Sequence, residues 1–383
     1  MVRAGVGISI QADVSAAVAE ASTAALERSG GADFAIVFAT PGPAQEPTRL
    51  LSTAVEALGT QRVVGATAHG VLGAGIECEG ESSVTVMAVN GLDAEPFLVS
   101  AARGEEARVG AEIASRMTGE PGAEDLIVVL PDPRLDTDKL VRGLDALRPA
   151  QIVGAGAADP FSDSPAQWCG RDVESEAVAG IALRGVRARV GVTQACRPAT
   201  ELLSVTRAQG NWVLELDGRP ALDVYREAAL GPLADDLARA AAFVLVAIPQ
   251  DEVSSLRPGS YLVRHVIGFS PENRAFALPE EVTRGQRIAL AIREPEAARS
   301  DLKAMLAAQG GESASVGLYF NCCARGSAFF GVPGLESAYL QHAFSDVPIA
   351  GMFGSYEIGP IGSIGQGRPQ LLTYTGVLAL IDS

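Results

Sequence analysis

The chain has 383 residues, more than one ordinary hydrophobic core accommodates, so its length predicts at least two domains. A net charge of −16, without a cluster of Lys and Arg, argues against binding to nucleic acids or anionic membranes. The five cysteines are irregularly spaced, which argues against a disulfide framework. The sequence contains neither a secretory signal nor an apolar run of the roughly 20 residues that span a bilayer. We therefore expect a cytoplasmic protein.

A strand–helix–strand pattern with a returning strand recurs four times along the chain. The first copy comprises, in order, Asp33–Thr40, Pro47–Leu58, Arg62–Gly65 and Ser82–Val89. The second copy comprises Asp125–Leu130, Asp136–Leu147, Gln151–Gly154 and Ala177–Leu183. The weaker third copy has the strands Ala242–Ile248, His265–Gly268 and Ile288–Ile292 but no clear helix. The fourth copy comprises Ala314–Phe320, Gly334–Phe344, Val347–Gly351 and Thr373–Ile381. Internal duplication and ordinary α/β alternation both explain this pattern.

The strands indicate an α/β fold with mixed sheets flanked by helices. Continuous apolar runs such as Leu126–Leu130 are typical of strands that are covered on both faces. The returning strands make the sheets mixed, and further helices are predicted at Glu105–Met117 and Glu294–Ala308. We predict two lobes, each holding two strand–helix–strand–hairpin units, with the boundary between residues 193 and 194.

Two of the predicted turns share a glycine at the end of the second strand. Gly65-Ala66-Thr67 precedes His69 in the first copy, and Gly154-Ala155-Gly156 lies at the same place in the second. Glycine lets a backbone turn sharply and lets a ligand approach the main chain. The N–H groups after Gly65, Gly154 and Gly351 could bind a carboxylate. Equally, these glycines could serve only the geometry of the turns.

Several motifs resemble those of the FIST family of sensory domains. Cys322-Cys323-Ala324-Arg325-Gly326 is similar to its C-x-x-R-G motif, and Gly351–Pro360 is similar to its G-F-F-x-x-G-E-I-G-P segment. Residues 205–221 resemble the opening of the C-terminal part of the family. The glycine turns at 64–67 and 153–157 resemble those of its N-terminal part. The order of these motifs extends the resemblance over nearly the whole chain.

The resemblance implies a FIST N-terminal domain at 1–193 and a FIST C-terminal domain at 194–383. It also implies a bacterial sensory protein for signal transduction that binds a small ligand, with an amino acid or a related metabolite as the suggested class. Such a protein would signal through a partner protein or act as a stand-alone binder, and it would have no catalytic activity of its own. Tyr356 stands where the family usually has Gly, and Ala66 and Ala155 replace positions often held by Cys and Gly. A pocket shaped for a different ligand would follow from these departures.

Two charged residues in the C-terminal motifs suit a zwitterionic ligand. The Arg325 guanidinium could bind a carboxylate, and Glu357 could bind an amine. Alternatively, these two side chains could pair with each other and hold the motifs together. The predicted ligand-binding residues are Gly65, Ala66, Thr67, His69, Gly154, Ala155, Gly156, Cys322, Arg325, Gly326, Phe353 and Glu357.

Cys322 supports an alternative function, because a nearby cation lowers the pKa of a thiol. A cysteine-dependent enzyme could use Cys322 as nucleophile on a small acyl or metabolite substrate, with Glu357 or His69 as base. Cys322 could equally be a buried packing residue. Strand alternation predicts that Cys322 and Cys323 point to opposite faces. The cysteines and histidines show no metal-ligand spacing, and no cofactor motif is present, so we predict neither a metal nor a cofactor.

Overall fold

The computed structural model describes residues 2–101, 103–159, 165–229, 231–250, 253, 255–310, 313–361 and 368–382. The chain forms two compact units, one of Met1–Val192 with Lys303–Ser383 and the other of Thr193–Leu302. The second unit therefore begins near the predicted boundary, but the chain returns to the first unit at Lys303. The division into domains at 1–193 and 194–383 stays a prediction about the sequence. Within the described residues, no helix has both the length and the apolarity to cross a membrane.

The helices and strands alternate along most of the chain. The described α-helices are α1 (Val14–Ser29), α2 (Pro47–Leu58), α3 (Val109–Arg116), α4 (Thr137–Leu144), α5 (Ala221–Ala229), α6 (Leu237–Ala240), α7 (Pro295–Gln309), α8 (Ser327–Phe330) and α9 (Leu335–Ala343). The strands from β1 to β13 are β1 (Arg3–Ser9), β2 (Phe34–Ala39), β3 (Val63–Thr67), β4 (Gly70–Gly73), β5 (Ile76–Glu79), β6 (Val84–Asn90), β7 (Ala94–Ser100), β8 (Leu126–Pro131), β9 (Gln151–Ala155), β10 (Gln167–Cys169), β11 (Asp172–Glu174), β12 (Ala177–Leu183) and β13 (Arg187–Gln194). The remaining strands are β14 (Cys196–Pro198), β15 (Leu203–Gln209), β16 (Trp212–Leu216), β17 (Arg219–Pro220), β18 (Val244–Pro249), β19 (Tyr261–Arg264), β20 (Gly268–Ser270), β21 (Ala275–Ala277), β22 (Arg287–Arg293), β23 (Val316–Cys322), β24 (Ile349–Gly354), β25 (Glu357–Pro360), β26 (Pro369–Leu372) and β27 (Thr375–Asp382).

The first, second and fourth copies of the repeat form three sheets with the same strand order. These sheets run β1-β6-β2-β3-β10-β11, β7-β12-β8-β9-β25-β26 and β13-β27-β23-β24-β4-β5. In each, the first two strands of the copy pair in parallel. The returning strand pairs antiparallel with the first strand. A parallel pair needs a long crossover, which helices α2, α4 and α9 supply. The predicted α/β class with mixed sheets flanked by helices is confirmed.

The third copy lies in the second unit and has a different topology. Its sheet has the order β19-β18-β22-β15-β16-β21-β20, with β14 on β22 and β17 on β16. The predicted second strand His265–Gly268 is wrong, because β19 ends at Arg264 and residues 265–267 lie outside any strand. The strands β18 and β19 pair antiparallel. The described residues between them include no helix, and antiparallel neighbours do not need a long crossover. The lack of a helix in the described residues between these two strands therefore agrees with their antiparallel pairing.

The three sheets of the first unit exchange their hairpins in a closed cycle. The β4–β5 hairpin of the first copy pairs with β24 of the fourth. The β10–β11 hairpin of the second copy pairs with β3 of the first. The β25–β26 hairpin of the fourth copy pairs with β9 of the second. Each second strand therefore ends where its chain crosses to another sheet, and these crossings hold the three copies together.

Local sequence signals fix the helix that opens the first unit. Asp13 caps α1 by accepting a hydrogen bond from the Ala16 N–H at 2.9 Å, and Gly30 ends the helix in the left-handed conformation. One core lies between α1, α2 and the first sheet, and a second lies over the sheet of β8 and β9. Phe38 of β2 and Phe320 of β23 pack edge to face, with their ring centroids 6.4 Å apart, and so connect two of the sheets.

Candidate functional site

The second strands of the three copies end at one junction, where their backbones are hydrogen-bonded in a ring. The Ala158 N–H donates to the Thr67 carbonyl at 3.0 Å, which joins the second copy to the first. The His69 N–H donates to the Phe353 carbonyl at 2.9 Å, which joins the first copy to the fourth. The Gly156 N–H donates to the Tyr356 carbonyl at 2.9 Å and closes the ring. The structure therefore brings together residues that the sequence predicted separately.

The predicted residues occupy four places around this junction. Gly65, Ala66 and Thr67 lie in β3, and Gly154 and Ala155 lie in β9, with His69 and Gly156 directly after those strands. Phe353 is the penultimate residue of β24, and Glu357 begins β25. Cys322 ends β23, and Arg325 and Gly326 lie in the turn that follows it. Whether these residues contact a ligand stays a prediction.

The strand glycines are required by packing between strands. Gly65, Gly154 and Gly351 lie inside strands, so the prediction that they open exposed turns is wrong. A Cβ on Gly65 or Gly154 would overlap the carbonyl oxygen of the neighbouring strand and approach its carbonyl carbon to 2.8 Å. The residues that follow them, Ala66 and Ala155, are paired in register with strands of another copy. Since the adjoining N–H groups belong to the sheets, we do not assign a ligand carboxylate to them.

The residues at the junction differ in burial, and we call the buried ones its floor and the half-buried ones its rim. Thr67, Gly156 and Phe353 are buried in the floor, and His69 and Ser355 at the rim are half-buried. The Thr67 hydroxyl is satisfied, since it accepts a hydrogen bond from the Ala166 N–H at 3.1 Å. The Ser355 hydroxyl is shielded from water and has no hydrogen-bond partner among the described residues. Buried polar groups are normally paired, so such an atom marks a place for a ligand or an ordered water.

Glu357 is the acidic side chain of the floor. Its side chain is 0% exposed, and its Oε2 accepts hydrogen bonds from the Thr375 hydroxyl at 2.6 Å and the Thr375 N–H at 3.3 Å. Its Oε1 has no partner within the described part of the chain. Burial, and then the neighbouring Cys322, raise the pKa of the Glu357 carboxyl well above its usual value. Burial therefore disfavours the ionised form of the Glu357 carboxyl.

Cys322 lies against Glu357 and Cys323 and is 4% exposed. The hydrogen bond with the Cys323 thiol and then burial raise the pKa of the Cys322 thiol well above its usual value. The prediction of a lowered pKa is wrong, because these effects exceed that of backbone N–H groups from Ala324 and Tyr374. The prediction that the two cysteines point to opposite faces is also wrong, since β23 ends at Cys322 and a 3₁₀ turn begins at Cys323.

Arg325 pairs with Glu336 of α9, so the predicted Arg325–Glu357 pair is wrong. The Arg325 and Glu336 side chains are 0% and 1% exposed, and an Arg325 Nη2 donates to Glu336 Oε1. Glu336 Oε2 also accepts from the Tyr319 hydroxyl at 3.1 Å and from the Asn321 amide. These partners come from the strand β23, over which α9 packs. Sequence reasoning missed Glu336, although it is the single acid in the predicted helix Gly334–Phe344.

The β5 strand of the first copy brings two further acids to this network. Glu77 Oε1 accepts a hydrogen bond from the Ser337 N–H at 2.5 Å, and Glu79 Oε1 accepts one from the Ser327 N–H at 2.8 Å. A Cβ at Gly326 would overlap the Glu79 carboxylate, so Gly326 makes room for this contact. Burial and the Glu336 charge raise the pKa of Glu77 to about 7.

Replacement of Glu77 by Gln is expected to stabilise the protein increasingly as pH rises from about 4.5 to about 7, with the full gain above pH 7. A folded-state pKa of about 7, against 4.5 for the ordinary group, means that ionisation of Glu77 costs stability as pH rises from about 4.5 through 7. Gln retains an acceptor for the Ser337 N–H without the charge. The variant should match the parent below pH 4.5 and exceed its unfolding free energy by roughly 1–3 kcal/mol at pH 8. Urea denaturation at several pH values measures this difference.

Glu56→Gln is the matched control for this experiment, because the Glu56 side chain is 75% exposed. It should leave the pH dependence of stability unchanged. A Glu77→Gln variant whose gain in stability is the same at pH 4 and pH 8 would contradict the assigned electrostatic cost.

A surface cleft of about 660 Å³ lies along α3, away from the predicted residues. Glu105, Arg108 and Glu112 are among the residues that line it. Its charged and open lining includes none of the residues of the strand junction. We therefore base the functional argument on the junction, where buried polar groups from three copies converge.

Comparison with known families agrees with this mixed α/β architecture and its C-terminal motifs. A model of the FIST N domain matches residues 33–219, and a model of the FIST C domain matches residues 221–360. The chain belongs to the FIST family. FIST domains are generally considered sensory domains that bind small ligands in signal transduction.

Mycobacterial proteins resemble the chain over its whole length. The uncharacterized protein Rv0628c of Mycobacterium tuberculosis is 29% identical over 390 residues, which cover 99% of each chain. The uncharacterized protein Mb0898c of Mycobacterium bovis is 28% identical over 390 residues, which cover 99% of this chain and 98% of that protein.

Proposed function

We propose that this protein is a sensor that binds an amino acid or a related amine-bearing metabolite at the strand junction and catalyses no reaction of its own. The observation that carries the proposal is the buried Glu357 carboxyl, whose Oε1 has no partner among the described residues. A polar atom in that position favours an occupant that offers a hydrogen-bond donor. The half-buried His69 and Ser355 leave the rim of the junction partly accessible.

The charges of the site favour an amine at Glu357. An ammonium group would offset the cost of burying the ionised carboxyl and would form a charge-assisted hydrogen bond with Oε1. Because Arg325 is engaged by Glu336, we place the ligand carboxylate toward the rim, near His69 and Ser355. This arrangement keeps the zwitterionic ligand that the sequence suggests and changes the partner of its carboxylate.

A binding role is favoured over catalysis by the state of Cys322. A nucleophilic cysteine works as a thiolate in an accessible, electropositive environment. Here burial and the Cys323 thiol raise the pKa of Cys322, and only 4% of the residue is exposed. We therefore propose that the sensor signals by contact with a partner protein after ligand binding.

Glu357→Gln is expected to weaken binding of the amine ligand about ten- to a hundredfold. A charge-assisted hydrogen bond contributes about 1.5–3 kcal/mol, and 1.4 kcal/mol corresponds to a tenfold change in affinity. The introduced amide retains an oxygen that accepts from Thr375, so the fold should persist. Native mass spectrometry of the purified protein identifies a retained metabolite, and calorimetric titration of amino acids and polyamines measures affinity.

The Glu56→Gln variant again serves as control, since an exposed acid outside the junction should not affect binding. Calorimetry in buffers of different ionisation enthalpy should show proton release as the amine binds at neutral pH. Equal affinity of the parent and the Glu357→Gln variant for the same retained metabolite would contradict the proposed site.

A further inference from the structure

At the end of the first strand of each of the three equivalent copies lies a residue whose side chain accepts hydrogen bonds from the backbone. Thr40 and Asp132 directly follow β2 and β8, and Cys322 is the last residue of β23. Thr40, Asp132 and Cys322 each lie three positions after the residue that pairs with a strand glycine. The Thr40 N–H donates to the Ser83 carbonyl and the Asp132 N–H to the Ala177 carbonyl, both at 2.9 Å. Because the positions match, the other two copies show which kind of hydrogen-bond acceptor the fold needs at Cys322.

Oxygen atoms meet this requirement in the first and second copies. Thr40 Oγ1 accepts from the Ser83 N–H at 2.7 Å. The Asp132 carboxylate accepts from the Arg134 N–H at 2.9 Å and the Glu176 N–H at 2.7 Å.

Cys322 accepts from the corresponding N–H groups of Ala324 and Tyr374. The equivalence extends to the backbone, because Glu176 and Tyr374 both have positive φ, 52° and 58°. Sulfur is a weaker acceptor than oxygen, so the fold at this place does not require a thiol.

The next position shows the same departure. Pro41 and Pro133 follow Thr40 and Asp132, whereas Cys323 follows Cys322. The fourth copy therefore replaces an oxygen acceptor and a proline with two adjacent thiols. Since the other copies make the same turn without sulfur, the cysteine pair points to a function beyond the fold.

The geometry of the pair favours a shared ligand over a disulfide. Adjacent Cα atoms are about 3.8 Å apart, below the roughly 4.4–6.8 Å that a relaxed disulfide needs. The 3₁₀ turn at Cys323 instead brings the two thiols into hydrogen-bonding contact. Two sulfurs bonded to one pyramidal centre at about 2.3 Å, with an angle of about 100° between the bonds, lie about 3.5 Å apart, which suits thiols in such contact. Cys323 is half-buried, so a small reagent reaches this thiol first.

We propose that Cys322 and Cys323 form a vicinal dithiol site that binds a soft, thiophilic centre of the trivalent arsenic class. An arsenous oxide group, R–As=O, condenses with the two S–H groups to form two S–As bonds and one water molecule. Both thiol protons leave in that water, and no atom changes oxidation state. Thiolates are soft ligands and select soft centres.

This inference does not depend on the proposed amine ligand, because it uses different atoms. The test uses phenylarsine oxide on the folded full-length protein, followed by intact-mass measurement under native conditions. The parent should take up one phenylarsenic group that resists excess 2-mercaptoethanol and is removed by 2,3-dimercaptopropanol. Glu357→Gln should take up the same group, which separates this site from the metabolite site.

Two variants locate the adduct and keep the test independent of folding defects. Cys323→Ser removes the half-buried thiol. Cys322→Asp introduces the residue type of Asp132, whose carboxylate accepts the equivalent backbone hydrogen bonds in the second copy. Each should lose the adduct that resists the monothiol while keeping a cooperative melt. If either fails to fold, the other decides.

Three outcomes would overturn the proposal. The first is a folded parent that forms no such adduct, and the second is an adduct that appears only after unfolding in urea. The third is an adduct retained by a folded Cys323→Ser or Cys322→Asp variant, which would place the reactive thiols elsewhere.

Discussion

Arg325→Ala is expected to lower the free energy of unfolding by about 3–5 kcal/mol. The change removes the cation that neutralises Glu336, whose side chain is 1% exposed. Glu336 would then stay buried close to Glu77, and the repulsion between two carboxylates would add to the cost of desolvation. Urea denaturation of the parent and the variant at pH 8, above the pKa of about 7 of Glu77, measures the loss.

A double-mutant cycle identifies the partner of Arg325. Arg325→Met combined with Glu336→Gln should recover a large part of the loss, because neither variant side chain leaves a buried charge. The amide introduced by Glu336→Gln also retains an acceptor for the Tyr319 hydroxyl. Arg325→Met combined with Glu357→Gln is the comparison cycle and should show much weaker coupling in stability. Stronger coupling to Glu357 than to Glu336 would contradict the assigned ion pair.

The repeat could be predicted from the sequence because it depends on local patterns. Apolar runs and amphipathic periods mark strands such as Leu126–Pro131 and helices such as Pro47–Leu58 directly. The sequence of the third copy shows no clear helix, and the topology of this copy does differ, since Val244–Pro249 and Tyr261–Arg264 pair antiparallel. These features follow from neighbours along the chain.

The exchange of hairpins could not be predicted in the same way. Gly73 pairs with Ala350, and Trp168 pairs with Gly65, although the two residues of each pair are far apart in the sequence. The exchanged strands are short, and their partners lie far away along the chain, so local sequence patterns do not reveal the pairing. The two compact units are equally invisible to local patterns, because the chain leaves the first unit at Val192 and returns at Lys303.

The sequence pointed to individual residues of the candidate site, but it did not reveal which side chains they contact. Arg325 and Glu357 belong to recognisable motifs, but a motif does not reveal which buried acid a guanidinium meets. Glu336 meets Arg325 because α9 packs over β23, and Glu77 joins them through a hairpin from the first copy. Both contacts depend on tertiary packing, which residue spacing does not encode.

Gly154→Ala is expected to prevent stable folding of the first unit. Gly154 lies in β9 opposite Val129 of β8, and its added Cβ would overlap the Val129 carbonyl oxygen. The obstacle is backbone, so relief requires separating two central strands that are buried on both faces. We expect a loss of more than about 4 kcal/mol, which is a large share of the stability of an ordinary domain. Circular dichroism and thermal melts measure the folded fraction.

Gly122→Ala is the matched control, because a Cβ there would approach its nearest atom, an Asp125 carboxylate oxygen, only to 3.4 Å. Its N–H can still donate to that carboxylate, so the control should melt close to the parent. Gly65→Ala should behave like Gly154→Ala, since its Cβ would overlap the Val37 carbonyl oxygen in the same way. A Gly154→Ala variant that melts like the parent but no longer binds a metabolite would show that the glycine serves a ligand instead of the contact between strands.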